Sequence, residues 1–228
     1  VMEGPHPLPD EDYEVGQRLQ GILGEAGINF LTTAQLKSAQ RIGEAVRAVV
    51  QQRKGETEIE VDRVLWAGQR PLIEGLGLEA AEIRTEDGAV SVDATGRTSV
   101  PHIFAIGDLT GDPMYSYMAT VQGLVAAENA MGRARRLDLK AMPRCVYTIP
   151  EAACVGLSED DAMDAGYDVE VANISLATSA RGLTLNEPAG GIKVVFEREL
   201  GKLVGVHIVG HRATELISEA ALALQLEA

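Results

Sequence analysis

The stretch from Thr98 to Gly111, TSVPHIFAIGDLTG, is the feature that most constrains what this chain can fold into. Its four apolar residues at 103–106 predict a buried strand, which runs directly into Gly107 and Asp108. Ligands of open α/β sheets sit at the carboxyl ends of strands. Gly107 would let a ligand approach the backbone without a Cβ in the way, and the Asp108 carboxylate can accept hydrogen bonds from hydroxyl groups. The pattern therefore indicates a ligand site, with a simple turn-capping role for Asp108 as the alternative.

A helix predicted to start near Met114 supports the ligand site. Pro113 interrupts the chain just before it, and the sequence MYSYMATVQGLVAAENAMG follows. The amino end of such a helix offers free N–H groups and partial positive charge. Beside a carboxylate that binds sugar-like hydroxyls, it suits a flavin, whose pyrimidine end becomes anionic on reduction.

Composition and charge exclude several classes of function. The 228 residues are 46% apolar and 24% charged, which is typical of a globular protein of one or two domains. A net charge of −14 and a pI near 4.7 argue against nucleic acid as a partner. The sequence has no run of about 18 apolar residues, the length that a membrane-spanning helix needs. Cys145 and Cys154 are too few for a disulfide framework and are predicted to be core residues, which favours a reducing, cytoplasmic setting. The histidines have no ligand-like neighbours, so no metal site is expected.

Hydrophobic periodicity gives the order of the elements in the first part of the chain. A helix is predicted from Asp10 to Gly24, followed by a strand at 28–33, a strand at 45–52 and two strand-like stretches within 57–68. Asp87-Gly88, ahead of the alternating AVSVD, predicts a β-hairpin.

The second part alternates strands and helices in the same way. Ser158 and Asp161 stand at N-cap and N3 positions of a predicted helix, in the manner of a capping box. A hairpin is predicted to turn at Leu200-Gly201, and an amphipathic helix runs to the last residue without a Gly or Asn cap. We therefore expect a piece of a longer protein. The overall class is α/β and α+β.

Four segments, in order and spacing, resemble the pyridine nucleotide-disulfide oxidoreductases, the flavoproteins that include dihydrolipoamide dehydrogenase, mercuric reductase and glutathione reductase. TSVPHIFAIGDLTGDPM is similar to the second FAD motif of the family, and VDRVLWAGQRP is similar to the strand that closes its NAD domain, with Gln69 inserted between Gly68 and Arg70. IEGLGLE resembles the segment that follows that strand, and YTIPEAACVGLSEDDA resembles the start of the dimerisation domain. The resemblance covers essentially the whole chain.

The resemblance implies a set of cofactor-binding residues. Asp108 would bind the ribityl chain of FAD, Gly107 would give the flavin room, and three residues at the helix amino end would line the isoalloxazine. Gly68 would lie against the nicotinamide of NAD(P), and Leu36 would contact its adenosine half. The three lining residues are Met114, Tyr115 and Ser116.

The resemblance also implies a domain organisation. Residues 1–68 would be the carboxyl-terminal part of a Rossmann-like NAD(P)-binding domain, residues 69–137 a central segment that contacts FAD, and residues 138–228 an α+β dimerisation domain. The redox dithiol and the acid/base pair of the family would lie outside this span, so no catalytic residue is expected within it. The protein would act as a homodimer, because in this family the acid/base histidine reaches the dithiol of the partner subunit.

Three functions remain open at this point. The first is a dihydrolipoamide dehydrogenase-like enzyme, favoured by the YTxPE and GDPM segments. The second is another reductase of the family that acts on a small or protein-bound disulfide, such as a mercuric reductase-like protein, since MYSY replaces the MLAH usual in dihydrolipoamide dehydrogenases. The third is a non-catalytic module for dimerisation and nucleotide binding.

Overall fold

The computed structural model describes residues 1–111 and 113–227. These residues form two compact units, one built from residues 1–65 together with residues from 140 onward, and the other from residues 66–139. The helices are α1 (Tyr13–Glu25), α2 (Ser116–Ala130), α3 (Glu159–Asp164), α4 (Ala180–Leu185) and α5 (Ala213–Gln225). The strands are β1 (Gln35–Ile42), β2 (Ala45–Gln52), β3 (Gly55–Val61), β4 (Thr85–Glu86), β5 (Ala89–Val90), β6 (Arg144–Val146), β7 (Glu151–Gly156), β8 (Val169–Ser175), β9 (Gly191–Glu197) and β10 (Leu203–Gly210).

The first unit is organised around a five-stranded antiparallel sheet with the order β6-β7-β10-β9-β8. Side chains alternate between its two faces, as the pleat requires. On β7, Ala153 and Val155 pack toward α5, and Ile217 of that helix is fully buried against them. Ala152 and Cys154 point to the other face, where they meet α1. The sheet is therefore covered by a helix on each face.

Helix α1 covers its face of the sheet through the apolar positions that its periodicity predicts. Val15 and Leu19 are 3% and 1% exposed, and Ile22 and Leu23 lie at the margin of the same cluster. The Asp12 carboxylate accepts a hydrogen bond from the backbone N–H of Glu14 at 3.0 Å and caps the helix. The predicted helix is confirmed, with its start three residues later than Asp10.

A separate three-stranded antiparallel sheet, β1-β2-β3, belongs to the same unit. Ala48 and Val50 on its central strand are buried, whereas the two outer strands are mostly exposed. The strand predicted at 28–33 is wrong, because that segment is irregular and the strand lies at β1 instead. The pairing of its backbone with β2 stabilises β1, although its sequence QLKSAQRI is largely polar.

The second unit, residues 66–139, contains α2 and the small hairpin β4-β5. The turn predicted at Asp87-Gly88 is confirmed, and both residues have positive φ, at 49° and 80°, as a type I′ turn requires. The strand-like stretch predicted to end at Gly68 does not form a strand, and Leu65 and Trp66 are 90% and 75% exposed.

The buried strand predicted at residues 103–106 is also wrong. Ile106 has extended backbone angles, with φ −142° and ψ 162°, but it is 39% exposed. Within the described residues, the segment shares only a single bridge, between Phe104 and Arg97, and no ladder. Its backbone pairs with residues 96–98, where the N–H of Ala105 donates to Gly96 O at 3.1 Å and the N–H of Thr98 donates to Ile103 O at 3.0 Å. So short a pairing makes a bridge and not a sheet strand.

The two remaining local predictions in the first unit are confirmed. The backbone N–H of Asp161 donates to Ser158 Oγ at 3.1 Å, which caps α3. Strands β9 and β10 form the predicted antiparallel hairpin, and Gly201 at its turn has φ +64°.

Candidate cofactor site

The Gly107-Asp108 pair lies in a single turn of 3-10 helix, Gly107–Thr110, immediately ahead of α2. The backbone N–H of Gly107 donates to Gln122 Oε1 of α2 at 2.6 Å, and the Thr110 hydroxyl donates to Gly107 O at 2.9 Å. The Gln122 amide also donates to Thr110 Oγ1, at 3.4 Å. Gln122 therefore fastens this turn to the helix.

The backbone at Gly107 requires a glycine. Its φ is +67°, in the left-handed region, and a Cβ built there would lie 3.1 Å from Ala119 Cβ on α2. The glycine thus lets the turn rest directly on the helix. This second role, packing against α2, could not be inferred from the sequence motif alone.

Asp108 presents an exposed carboxylate at the surface of this turn. Among residues 1–111 and 113–227, no group donates a hydrogen bond to this carboxylate and no cation pairs with it, so its acceptor sites are available to a ligand. Its backbone C=O is used within the turn, where it accepts from the N–H of Gly111 at 3.2 Å. The turn-capping alternative for the Asp108 side chain is therefore wrong.

The amino end of α2 lies a few residues further along the same segment. Tyr115 occupies the N-cap position, its side chain makes no capping hydrogen bond, and the first turn carries no acidic residue. The positive end of the helix dipole therefore lies at this point of the chain, where it favours an anionic group. The predicted residues Met114 and Ser116 flank Tyr115 at this end of the helix.

Two aromatic rings stack at this helix start, a feature that sequence analysis did not identify. The ring centroids of Tyr115 and Tyr117 are 5.3 Å apart, and the ring planes differ by 15°. The residues are two positions apart, one at the N-cap and one in the helix. The backbone of Tyr115 is extended, with φ −116° and ψ 137°, at the point where the helix begins.

A cavity of about 570 Å³ opens beside the same segment. Met114 and Thr110 line one part of it, and residues 69–71 and the β4-β5 hairpin supply the other walls. A Cβ at Gly111, which also lines the cavity, would lie 3.3 Å from Ala89 Cβ. The structure thus brings residues 69–71 and the end of the GDLTG segment to one concave surface, although about 40 residues separate them in the sequence.

Gly68 and Leu36 are placed differently from the other predicted residues. Gly68 is exposed and is not among the residues lining the cavity, although its neighbours at 69–71 are. A Cβ at Gly68 would lie 2.7 Å from the indole nitrogen of Trp66. Leu36 belongs to the first unit, where it is half-buried on β1 and pairs with Val50.

The two cysteines do not form a redox pair. Cys145 packs on the α5 face of the large sheet and Cys154 on the α1 face, so the sheet separates them. Neither cysteine forms a disulfide within the described residues, and burial raises the pKa of the Cys154 thiol well above its usual value. The part of the chain that the structure describes contains no cluster of metal-ligating side chains and no helix long and apolar enough to cross a membrane.

Comparison with known proteins agrees with this geometry. Residues 1–123 match the model of the pyridine nucleotide-disulphide oxidoreductase family, and residues 142–228 match its dimerisation domain. The dihydrolipoyl dehydrogenase of Thermus scotoductus is 40% identical over 98% of this chain and 49% of its own length. That of Bacillus subtilis is 35% identical over 97% of this chain and 48% of its own length.

Solved structures give the same result for the fold. LpdA from Mycobacterium tuberculosis superimposes with a TM-score of 0.88 at 29% identity, over 100% of this chain and 50% of its own. The copper(II) complex of the HOCl-induced flavoprotein disulfide reductase RclA from Escherichia coli superimposes with a TM-score of 0.88 at 22% identity, over 100% of this chain and 52% of its own. The chain spans about half the length of the relatives it matches. On these matches, the chain belongs to the pyridine nucleotide-disulphide oxidoreductase family.

Proposed function

We propose that the whole protein is an FAD-dependent dihydrolipoyl dehydrogenase, which oxidises a dithiol such as dihydrolipoamide to its disulfide and reduces NAD(P). The observation that carries this proposal is the 40% identity to a dihydrolipoyl dehydrogenase, which extends over 98% of the chain. The chain itself contributes cofactor-binding and dimerisation elements to that reaction rather than the reacting dithiol.

The residues at the start of α2 fit a flavin. Asp108 has free acceptor sites for the hydroxyl groups of a ribityl chain. Gly107 would give the flavin room, in addition to its packing against α2. The amino end of α2, with Met114, Tyr115 and Ser116, would offer the partial positive charge of the helix dipole to the pyrimidine end of the isoalloxazine. FAD, when bound, would supply the two-electron chemistry, and these residues would hold and orient it.

The nicotinamide nucleotide would lie against the residues nearer the start of the chain. Gly68 would leave room for the nicotinamide and Leu36 would contact the adenosine half. In this assignment residues 1–68 belong to the NAD(P)-binding domain and residues 69–137 to the segment that contacts FAD. The choice between NAD and NADP is open to direct measurement with the two nucleotides.

Residues 138–228 would form the dimerisation domain of a homodimer in the cytoplasm. Helix α5 supports this proposal. One face of the helix packs on the sheet. Away from that face, Leu216 and Leu222 on the helix and Leu226 just after it are 47%, 59% and 70% exposed. Apolar side chains at such exposure are suited to a subunit interface.

The test is to purify the whole protein and to record its visible spectrum and its activity. We expect flavin absorbance, and reduction of NAD or NADP that depends on dihydrolipoamide. A coloured protein that reduces a different disulfide would indicate another reductase of the family. A colourless protein without activity would instead identify a non-catalytic module.

The Asp108→Ala variant tests the flavin site. A hydrogen bond to a charged group contributes about 1.5 to 3 kcal/mol, so we expect flavin affinity to fall by about tenfold to a hundredfold. The dimer should persist, as judged by its sedimentation. Asp164→Ala, which removes an exposed carboxylate from the end of α3, is the matched control and should retain flavin. Equal flavin content in the two variants would contradict the role of Asp108.

A further inference from the structure

A buried ammonium group joins the nucleotide-binding part of the chain to the dimerisation sheet. Lys193 lies on β9 and its side chain is 4% exposed. Its Nζ is 3.0 Å from Asp12 Oδ2, 3.1 Å from Glu14 Oε1 and 2.7 Å from Glu159 Oε2. Asp12 caps α1 and is 2% exposed, so this carboxylate depends on Lys193 for compensation of its charge.

The register of the sheet places Lys193 under α1. His207 on β10 pairs directly with Lys193 on one side and with Cys154 on the other. Directly paired residues point to the same face of a sheet, and here that face is the one covered by Val15 and Leu19 of α1. The ionic contacts and the apolar packing of α1 are therefore parts of one contact surface.

His207 is the titratable group at the centre of this surface. It is 1% exposed, and its Nε2 lies 3.0 Å from the backbone carbonyl of Leu157. A carbonyl only accepts, so Nε2 carries the proton and Nδ1 is a bare lone pair in the neutral ring. Within residues 1–111 and 113–227, Nδ1 is buried without a hydrogen-bond partner. A second proton would therefore create a buried N–H with no acceptor.

The groups around His207 come from every element packed against it. Burial, the largest influence, lowers the pKa of His207, and the charge of Arg144 acts in the same direction. The Asp12 carboxylate and, more weakly, that of Glu11 favour the protonated ring. The remaining titratable neighbours are Lys193 on β9, Cys154 on β7, and Glu14 and Arg18 on α1.

We infer that Lys193, Asp12 and His207 form an acid-sensitive latch, which holds α1 on the dimerisation sheet while His207 is neutral and holds it more weakly when His207 is protonated. The latch joins residues matched to the oxidoreductase model to residues matched to the dimerisation domain. It goes beyond the proposed function, because it links acid conditions to the attachment between those two parts, whatever substrate the protein reduces.

The direction of the pH effect follows from the linkage between protonation and stability. A histidine with a lowered pKa in the closed state binds a proton more readily after opening, where its pKa returns to about 6.5. The closed latch is thus fully stable above about pH 6.5 and loses stability as the pH falls below that value. One unit lower, at about pH 5.5, the opening equilibrium rises by up to about tenfold.

Hydrogen exchange of the whole protein, followed by mass spectrometry, tests the latch. We expect exchange of α1 amides, corrected for the intrinsic effect of pH on exchange, to speed up by up to about tenfold from pH 7.5 to 5.5. Amides of α5, on the opposite face of the sheet, should change much less. In the His207→Gln variant, whose amide can still donate to the carbonyl of Leu157, the acid response of α1 should disappear.

Two further histidine variants separate the latch from other titrations. His6 lies beside α1, with its ring 5.2 Å from that of Tyr13, and His211 is paired with Glu187 away from this surface. We expect His6→Gln and His211→Gln to retain the acid response. The latch is refuted if α1 and α5 respond equally in the wild type, which needs no variant to fold. It is also refuted if the response survives in His207→Gln or is lost in His6→Gln.

Discussion

Replacement of Lys193 by methionine removes the buried ammonium group that pairs with Asp12 and keeps most of the side-chain volume. In wild type, burial opposes the charged form, but hydrogen bonds to Glu159 and Asp12 outweigh it and raise the pKa of Lys193. In Lys193→Met, the carboxylates of Glu14 and Glu159 can turn to water, because they are 40% and 36% exposed. Asp12, at 2% exposure, cannot.

The expected loss of stability follows from the buried Asp12 carboxylate, which loses the cation that pairs with it. Removing one partner of a buried ion pair costs about 3 to 5 kcal/mol. Asp12 keeps two backbone donors, the N–H of Glu14 at 3.0 Å and the N–H of Glu159 at 3.3 Å, so the lower end of that range applies. A loss of about 3 kcal/mol corresponds to an increase of about 150-fold in the opening equilibrium of α1.

Native-state hydrogen exchange of α1 amides at pH 7.5 measures that equilibrium directly. Lys202→Met is the control, since Lys202 and its partner Glu227 are 40% and 77% exposed and 3.5 Å apart, a pair that contributes at most about 1 kcal/mol. In the double variant that combines Lys193→Met with Asp12→Asn, the α1 amides should regain part of their protection against exchange, because the amide side chain at position 12 would be uncharged and would need no cation beside it. If Lys193→Met opens α1 no more than Lys202→Met does, the ionic network does not hold the helix.

Two further predictions concern packing in the same unit, and urea unfolding midpoints can check both. Ile217→Ala should lower the free energy of unfolding by about 2 to 5 kcal/mol, because Ile217 is 0% exposed between α5 and the sheet. Met163→Ala on α3, at 49% exposure, should cost less than about 0.5 kcal/mol. Equal shifts would contradict the assigned core. Gly156→Ala should cost more than Gly166→Ala, since both have positive φ, at 75° and 88°, but only at Gly156 would the Cβ lie 2.2 Å from the carbonyl oxygen of Val204. The reverse order would refute the close approach of these two segments.

The elements that sequence analysis located correctly depend on contacts between near neighbours. The Asp87-Gly88 turn and the Ser158 cap need only residues within a few positions, so their composition is sufficient. The segment at 103–106 has the apolar composition of a strand but lacks a neighbouring strand, and β1 has a polar composition but possesses one. Strand formation depends on pairing, and the local sequence does not encode the partner.

The candidate cofactor site also combines features set by neighbouring residues with features set by distant segments of the chain. Gly107, Asp108 and the start of α2 are consecutive, so a motif could identify them together. The Gln122 contacts that fasten the turn and the walls of the neighbouring cavity come from segments that only the fold brings together. Lys193 and Asp12 are 181 positions apart, and neither residue is distinguished by its immediate sequence.

The packing of α1 on the large sheet bears on where one module of this protein ends and another begins. Family models divide the chain between residues 123 and 142, and they assign α1 to one side and the sheet to the other. The hydrophobic core extends across that division, because Leu19 and Cys154 belong to one apolar cluster. A segment cut at the family border would leave one face of the sheet bare and Lys193 without Asp12 and Glu14. The border between the family domains and the border of the folded core thus lie at different places in the chain. A chimera that exchanges dimerisation domains between relatives must therefore include α1 together with the exchanged domain.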